Sequence, residues 1–346
     1  MPEPLLENVS PLGNVQAIVE ADDRTCFFYL FGAPESDLGV KSVWVRNLQP
    51  APAKLDVEGM AEARPPMNPA AHCRDKGAGA RPRGENLRVC WFPEGNGAAL
   101  FEAERMLALI PPWSGTSGFH GYSAECLGQG PLAWQMPGEP GELFARIAAA
   151  EVFWRTWETD PWPGIQQTML SAIERRLGSH SNYYAIDGGN WPPRALVRIA
   201  TGAGVALVTL GMCLLPQPNV EMYVEDPASL RRVEIGVLLP RGWSEHDITQ
   251  FGSYLSGQAQ LPWEKFTWFG PGHTIPCNAW RNRKFTAAVL IREHPAVPAL
   301  ELPRQFSDPV SILWFLPIGA EERELAMETG TDELLKALAA DRWKEA

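Results

Sequence analysis

Short apolar runs separated by proline and glycine set the first limit on what this chain can fold into. TCFFYLF (25–31), KSVWVRN (41–47), LRVCWF (87–92), FTAAVLI (285–291) and VSILWFL (310–316) all have strand length and strand composition. Between such runs lie most of the 32 prolines and 31 glycines, a density of turn chemistry that a bundle of long helices could not absorb. The pattern predicts many strands joined by long ordered loops.

Val15 to Glu20 reads as a further early strand, and LRVCWF and MLALI (106–110) as a strand pair joined through PEGNG. From Gln49 to Arg83 runs a Pro-, Ala- and Gly-rich loop whose centre, RDKGAGARPRG, has little to pack and is expected to be mobile. PPWSGTSGFHGY (111–122) is an aromatic, glycine-rich loop. Helical periodicity then appears. Leu143, Phe144, Ile147, Ala148 and Val152 share one face between Gly141 and about Trp157, and Ile165, Met169, Ile173 and Leu177 recur every fourth residue after DPWPG. A boundary near Pro161–Gly164 divides the chain into modules 1–162 and 163–346.

ALVRIAT (195–201), VALVTLGMCLL (205–215), VEMYVE (220–225) and RRVEIGVLL (231–239) read as strands of the second module. A helix over about 245–256 has Ser244 as N-cap, Asp247 three residues on, and Trp243 and Ile248 at the staple positions. AEERELAMET stops at Gly330 and a second helix starts at Thr331, with Leu325, Leu334, Leu335 and Leu338 offering apolar faces. The fold class is α+β: two modules, each with a mixed or antiparallel sheet flanked by helices, and a helical C-terminal tail.

Composition narrows the function. With 45% apolar and 21% charged residues the chain suits a soluble globular protein with a large core. A net charge of −11 argues against general nucleic-acid or anionic-membrane binding and is compatible with a basic protein partner. The longest apolar run, Ala203 to Leu215, is too short to span a bilayer, and the N-terminus lacks the basic head of a signal peptide. The six cysteines include no CxxC pair, which points to reduced thiols in a cytoplasmic protein.

Catalytic signatures are weak. GYSAE (121–125) carries Glu125 where a nucleophile elbow needs a small residue, and Ser114 has no elbow around it. The histidines form no HxH or HExxH motif, so neither a metal nor a cofactor is expected. GAG (202–204) lacks the third glycine of a dinucleotide fingerprint. Carboxylate pairs such as Glu225–Asp226 read as solvated turn acids. The strongest local signal is FTWFGPGHTIPCNAW (266–280). Trp263, Phe266, Trp268 and Phe269 gather before a Gly-Pro-Gly-His turn, and two readings stay open: core aromatics, or the rim of a partner-binding loop.

LPWEKFTWFGPGHTIP (261–276), DPVSILWFLPIGAEERELAMETGTDELLKAL (308–338) and PQPNVEMYVEDP (216–227) together resemble the Suppressor of fused family in its bacterial form. FFYLFGAPESDLGVKSVWVRNL and IPPWSG resemble an N-terminal module found with bacterial members. The resemblance implies a binding protein and not an enzyme. Animal members clasp an extended peptide of Gli transcription factors as an added strand, and bacterial members occur as immunity proteins of polymorphic toxin systems. Carried onto this chain, the implied partner-binding region is Trp263, Trp268, Phe269, Gly272, His273, Thr274, Ile275 and Pro276. Trp113, His120 and Tyr122 of the other aromatic loop are grouped with it. The animal motif has an acid before the equivalent histidine. Here that position is Gly272, which argues for a partner other than a Gli-like peptide. The alternative from another class is a hydrolase-type enzyme using a cleft between the modules, with His120 or His273 as base and a nearby acid to orient it.

Overall fold

The computed structural model describes residues 3–138 and 141–346. The chain is α+β and divides into two compact units, Met1–Thr159 with Glu264–Phe266, and Asp160–Trp263 with Thr267–Ala346.

In the first unit β1 (Glu3–Val9), β2 (Val15–Ala21), β3 (Thr25–Gly32) and β4 (Val40–Asn47) form an antiparallel sheet in chain order. Strand β2 shows why: Val15, Ala17, Val19 and Ala21 are buried while the residues between them are not, the two-residue period of a half-buried strand. After a short helix α1 (Val57–Ala61), a second sheet runs β5 (Leu87–Trp91), β6 (Ala98–Glu102), β7 (Arg105–Ile110), β8 (Tyr122–Ser123) and β9 (Trp134–Gln135). Its two faces have different neighbours. Leu100, Leu107 and Ile110 join Phe28, Leu30, Val43 and Trp44 in one core. Ala99, Phe101 and Leu109 pack instead against Leu143, Ile147 and Ala150 of helix α2 (Glu142–Trp157). The result is three layers: sheet, sheet, helix.

Three expectations change here. The runs LRVCWF and MLALI do not pair with each other, because β6 lies between them and bonds both. The buried stripe of α2 is Leu143, Ile147, Ala150 and Phe153, whereas Ala148 and Val152 are exposed. And the loop around residues 74–83, though without regular structure, is stitched down. Gly79 N–H donates to the Asn47 carbonyl (3.0 Å), Ala51 N–H to that of Lys76 (2.9 Å) and Arg74 N–H to that of Glu125 (2.8 Å). Arg46 Nη1 donates to the Ala80 carbonyl (3.0 Å) and Arg81 Nη1 to that of Asp22 (3.1 Å). Main-chain bonds and two arginine side chains hold a segment that was expected to be mobile for want of apolar anchors.

Lys41 of β4 is the unusual charge of this unit. Its Nζ donates to the carbonyls of Asn96 (3.0 Å) and Pro112 (2.6 Å), and burial pushes its pKa down to about 7.

The second unit begins with α3 (Trp162–Leu177), whose Met169 and Ile173 are fully buried with Ile165 and Leu177 packed beside them. An eight-stranded mixed sheet follows: β10 (His180–Ala185), β11 (Ala195–Thr201), β12 (Gly204–Leu210), β13 (Arg232–Pro240), β14 (Thr274–Pro276), β15 (Ala287–Ile291), β16 (Leu302–Gln305) and β17 (Asp308–Ile318). Its order is β10-β11-β12-β13-β17-β15-β14, with β16 on β17, and the β13–β17 pair is parallel. Helices cover both faces. Val197, Val208, Val289 and Trp314 meet α3 and the C-terminal segment, while Leu196 and Leu207 lie under α6 (Glu245–Gln258), where Gly252 allows the close approach. The N-cap is as the spacing predicts: Ser244 Oγ accepts from Asp247 N–H (3.1 Å), with Trp243 and Ile248 buried.

The GAG segment is the β11–β12 hairpin turn, its Thr201 hydroxyl accepting from Gly204 N–H (3.1 Å). VALVTLGMCLL is only half strand. Gly211, at φ +102°, turns the chain into a 3-10 segment, and the fully buried Glu234 carboxylate holds it by accepting from Gly211 N–H (2.8 Å) and Cys213 N–H (3.1 Å). VEMYVE is not a strand. Asn219, at φ +64°, opens a one-turn helix α4 (Val220–Tyr223) that buries Val220 and leaves Tyr223 outside. A second short helix α5 (Ala228–Arg231) and α7 (Leu261–Lys265) complete the connections. In the tail, α8 (Ala320–Thr329) and α9 (Asp332–Ala337) bury Ala326, Leu334, Leu338 and, beyond them, Trp343, but Leu325 is 48% exposed. The six cysteines are free and buried, and among the described residues no helix is long and apolar enough to cross a membrane.

Candidate protein-binding site

Trp263 and the segment from Thr267 to Pro276 lie at the β14 end of the eight-stranded sheet, and their conformation is fixed from below. Trp263 is buried and its indole Nε1 donates to the Pro216 carbonyl (3.0 Å). Phe269 is also buried, and Gln217 grips its main chain on both sides. The Gln217 Oε1 accepts from Phe269 N–H (2.8 Å), and its Nε2 donates to the Phe269 carbonyl (3.0 Å) and to that of Leu230 (2.8 Å). Gln217 itself is fully buried, so this amide replaces water for a loop that has no strand partner there.

Two glycines make the turn possible. A side chain at Gly270 would meet the Trp268 ring at 2.3 Å, so the indole packs against bare backbone. Gly272 has φ +86°, and a Cβ there would fall 2.3 Å from the Thr331 hydroxyl. Gly272 N–H donates to Leu290 O (2.7 Å) and Leu290 N–H to His273 O (2.8 Å), which leads the turn into the β14–β15 pair. Tyr254 closes the other end, its hydroxyl donating to the Pro276 carbonyl (2.7 Å).

What reaches the surface is a smaller set than the sequence suggests. Trp263, Phe269, Gly272 and Ile275 are buried and build the turn; Trp268, His273 and Thr274 are partly exposed and Pro276 is exposed. The His273 ring stands edge-on to Trp268, centroids 4.3 Å apart. Burial lowers its pKa, opposed by a bond with the Trp268 backbone, so the charged form is disfavoured. Among the described residues no carboxylate pairs with it. Tyr223, which the sequence hid inside an apparent strand, stacks beside Trp268 at 6.1 Å and 17°. Gln217 was equally invisible, since it lies 52 residues from its partner.

The other aromatic candidates belong to the first unit. Phe119 packs between Tyr122 (4.9 Å) and Trp134 (4.7 Å), and the Arg146 guanidinium lies 5.4 Å from the Trp113 ring. The His120 carbonyl accepts from the Ser114 hydroxyl, and Ser123 Oγ donates to the Val45 carbonyl (2.9 Å), so both serines are engaged by backbone. Among the described residues no three His, Cys, Asp or Glu side chains gather as a metal would require.

The second unit is thus a sheet clad by helices on both faces, with an aromatic turn at its edge. Residues 192–344, which lie in the second unit apart from Glu264–Phe266, match the profile of the Suppressor of fused protein (SUFU) family. That stretch contains Gln217, Tyr223 and the whole turn, and it is less than half of the 346 residues. No curated protein matches the chain.

Proposed function

We propose that this is a non-enzymatic binding protein whose Suppressor of fused domain holds a partner protein at the aromatic turn. In its finer form, it is an immunity protein that neutralises a cognate toxin in the cytoplasm, the role the resemblance to bacterial members implies. The observation that carries the reading is Trp268: a partly exposed indole packed against the bare backbone of Gly270, next to Phe269, whose main chain Gln217 holds, and beside the last strand of its sheet. A pre-set aromatic anchor loses little freedom on binding, and the outer edge of β14 can accept an extended segment by main-chain bonds. A general base would call for an orienting carboxylate, whereas His273 leans on an aromatic ring.

The test is a pull-down from the native cell, followed by titration of the captured protein. Truncating an aromatic anchor commonly costs about 2 kcal/mol or more, so Trp268→Ala weakens the partner at least tenfold with circular dichroism unchanged, while His273→Gln has a far smaller effect. Co-expression of that partner with and without this chain reads the immunity role as rescue of growth. Binding indifferent to Trp268, together with a turnover that His273→Gln abolishes, would overturn the proposal in favour of an enzyme.

A further inference from the structure

The Tyr223–Trp268 pair has a chemistry of its own. Tyr223 is 66% exposed, and with planes 17° apart and centroids at 6.1 Å the rings form an offset floor, not a closed sandwich. The chain segments next to that floor are acidic. Glu225 and Asp226 follow Tyr223 in the chain, and Asp332 follows Thr331, whose side chain abuts Gly272; all three acids are exposed and unpaired among the described residues. From Phe266 through Trp280 there is no lysine or arginine. The cations near α4 are already committed: Arg231 to Glu221 (3.0 Å) and Asp308 (3.5 Å), Arg232 to Asp308 (3.0 Å).

Resting on the binding reading above, we infer that this floor is the receptor for an arginine side chain of the partner segment. An aromatic face is electron-rich and attracts a cation laid over it, most strongly a planar guanidinium that can also stack. Glu225 and Asp226 supply the counter-charge that favours arginine over a neutral planar group. Burial disfavours the charged form of His273, which limits any repulsion from it.

The probe is an acetylated nine-residue peptide of threonine and valine with one central arginine, compared with the same peptide carrying citrulline, which keeps the shape and removes the charge. Binding is followed at the tryptophan indole NMR signal that Trp268→Phe removes. The arginine peptide shifts that signal saturably, the citrulline peptide binds about tenfold more weakly, and Tyr223→Leu or the double change Glu225→Gln, Asp226→Asn costs about fivefold. Tyr223 lies on the surface, so its replacement leaves the fold intact. No shift, or equal affinity for both peptides, overturns the inference. With the captured partner the two readings separate. Binding that Trp268→Ala weakens but Tyr223→Leu and the charge variant leave unchanged sinks the arginine floor alone, and binding indifferent to Trp268 sinks both.

Discussion

Replacing Lys41 by Met removes a titration that the fold has displaced by several pH units. Folded, the amine releases its proton near pH 7; unfolded, it holds it to about 10.5. In between, the unfolded chain binds nearly one more proton than the folded chain. Stability therefore rises with pH, by up to about 1.4 kcal/mol per pH unit. A folded pKa of about 7 leaves the amine mostly neutral by pH 7.5, so the gain from pH 7.5 to 8.5 is about 1.2 kcal/mol. The window must stop there. Cys26, with its thiol pushed up to about 12, and Cys73, Cys90 and Cys277, at about 11, have folded values above the ordinary 9.0. Their stabilising effect is lost as pH rises, opposite in sign to that of Lys41. The assay is equilibrium urea unfolding of the full chain at pH 7.5, 8.0 and 8.5, wild type beside Lys41→Met. The wild type gains stability across the window and the variant does not; the difference in slope is the readout, since Met also leaves the Asn96 and Pro112 carbonyls without this donor. Parallel lines would refute the reasoning: the two carbonyls would then hold the amine charged against its burial.

Three further outcomes follow from the second unit. Gln217→Ala leaves the Phe269 N–H and carbonyl buried without their partner, at about 1–3 kcal/mol for an unsatisfied group, so urea unfolding should show at least 2 kcal/mol of loss. His273 has a folded pKa below its ordinary 6.5, so its contribution is complete above pH 6.5 and is lost as pH falls through the folded value; His273→Gln flattens the stability curve between pH 7 and 5. A chain ending at Pro317 strips Ala326, Leu334, Leu338 and Trp343 from the core; with about 1.5–3 kcal/mol per large apolar side chain at stake, it is expected to be insoluble or molten, and a cooperative melt near the full-length temperature would show the tail to be accessory.

Helix α6 and the stripe of α3 were legible in the sequence because their signals are local: a cap, a staple, a four-residue repeat. Strand β10, HSNYYA, was not. As an exposed edge strand it has no buried face to pattern its residues, and it exists through pairing with β11. The reading of VEMYVE failed on one backbone angle at Asn219, which turned an apparent alternation into a helical turn. At the site, composition located the aromatic turn but could not sort Phe269, which points inward, from Trp268, which does not. That sorting depends on Gln217 and Thr331, both distant in the chain.

The grip of Gln217 and the bare backbone at Gly270 and Gly272 divide the turn into two sets of residues with separate duties. One set fixes where the loop stands; the other, Tyr223, Trp268, Thr274 and Pro276, is the set that the proposed binding role would have meet a partner. Specificity can therefore be rewritten at the tips while the scaffold is left alone. For an engineer this defines a small library with a protected frame. Under the binding role proposed above, a new partner could be met by a few surface substitutions, each nearly free of cost to folding.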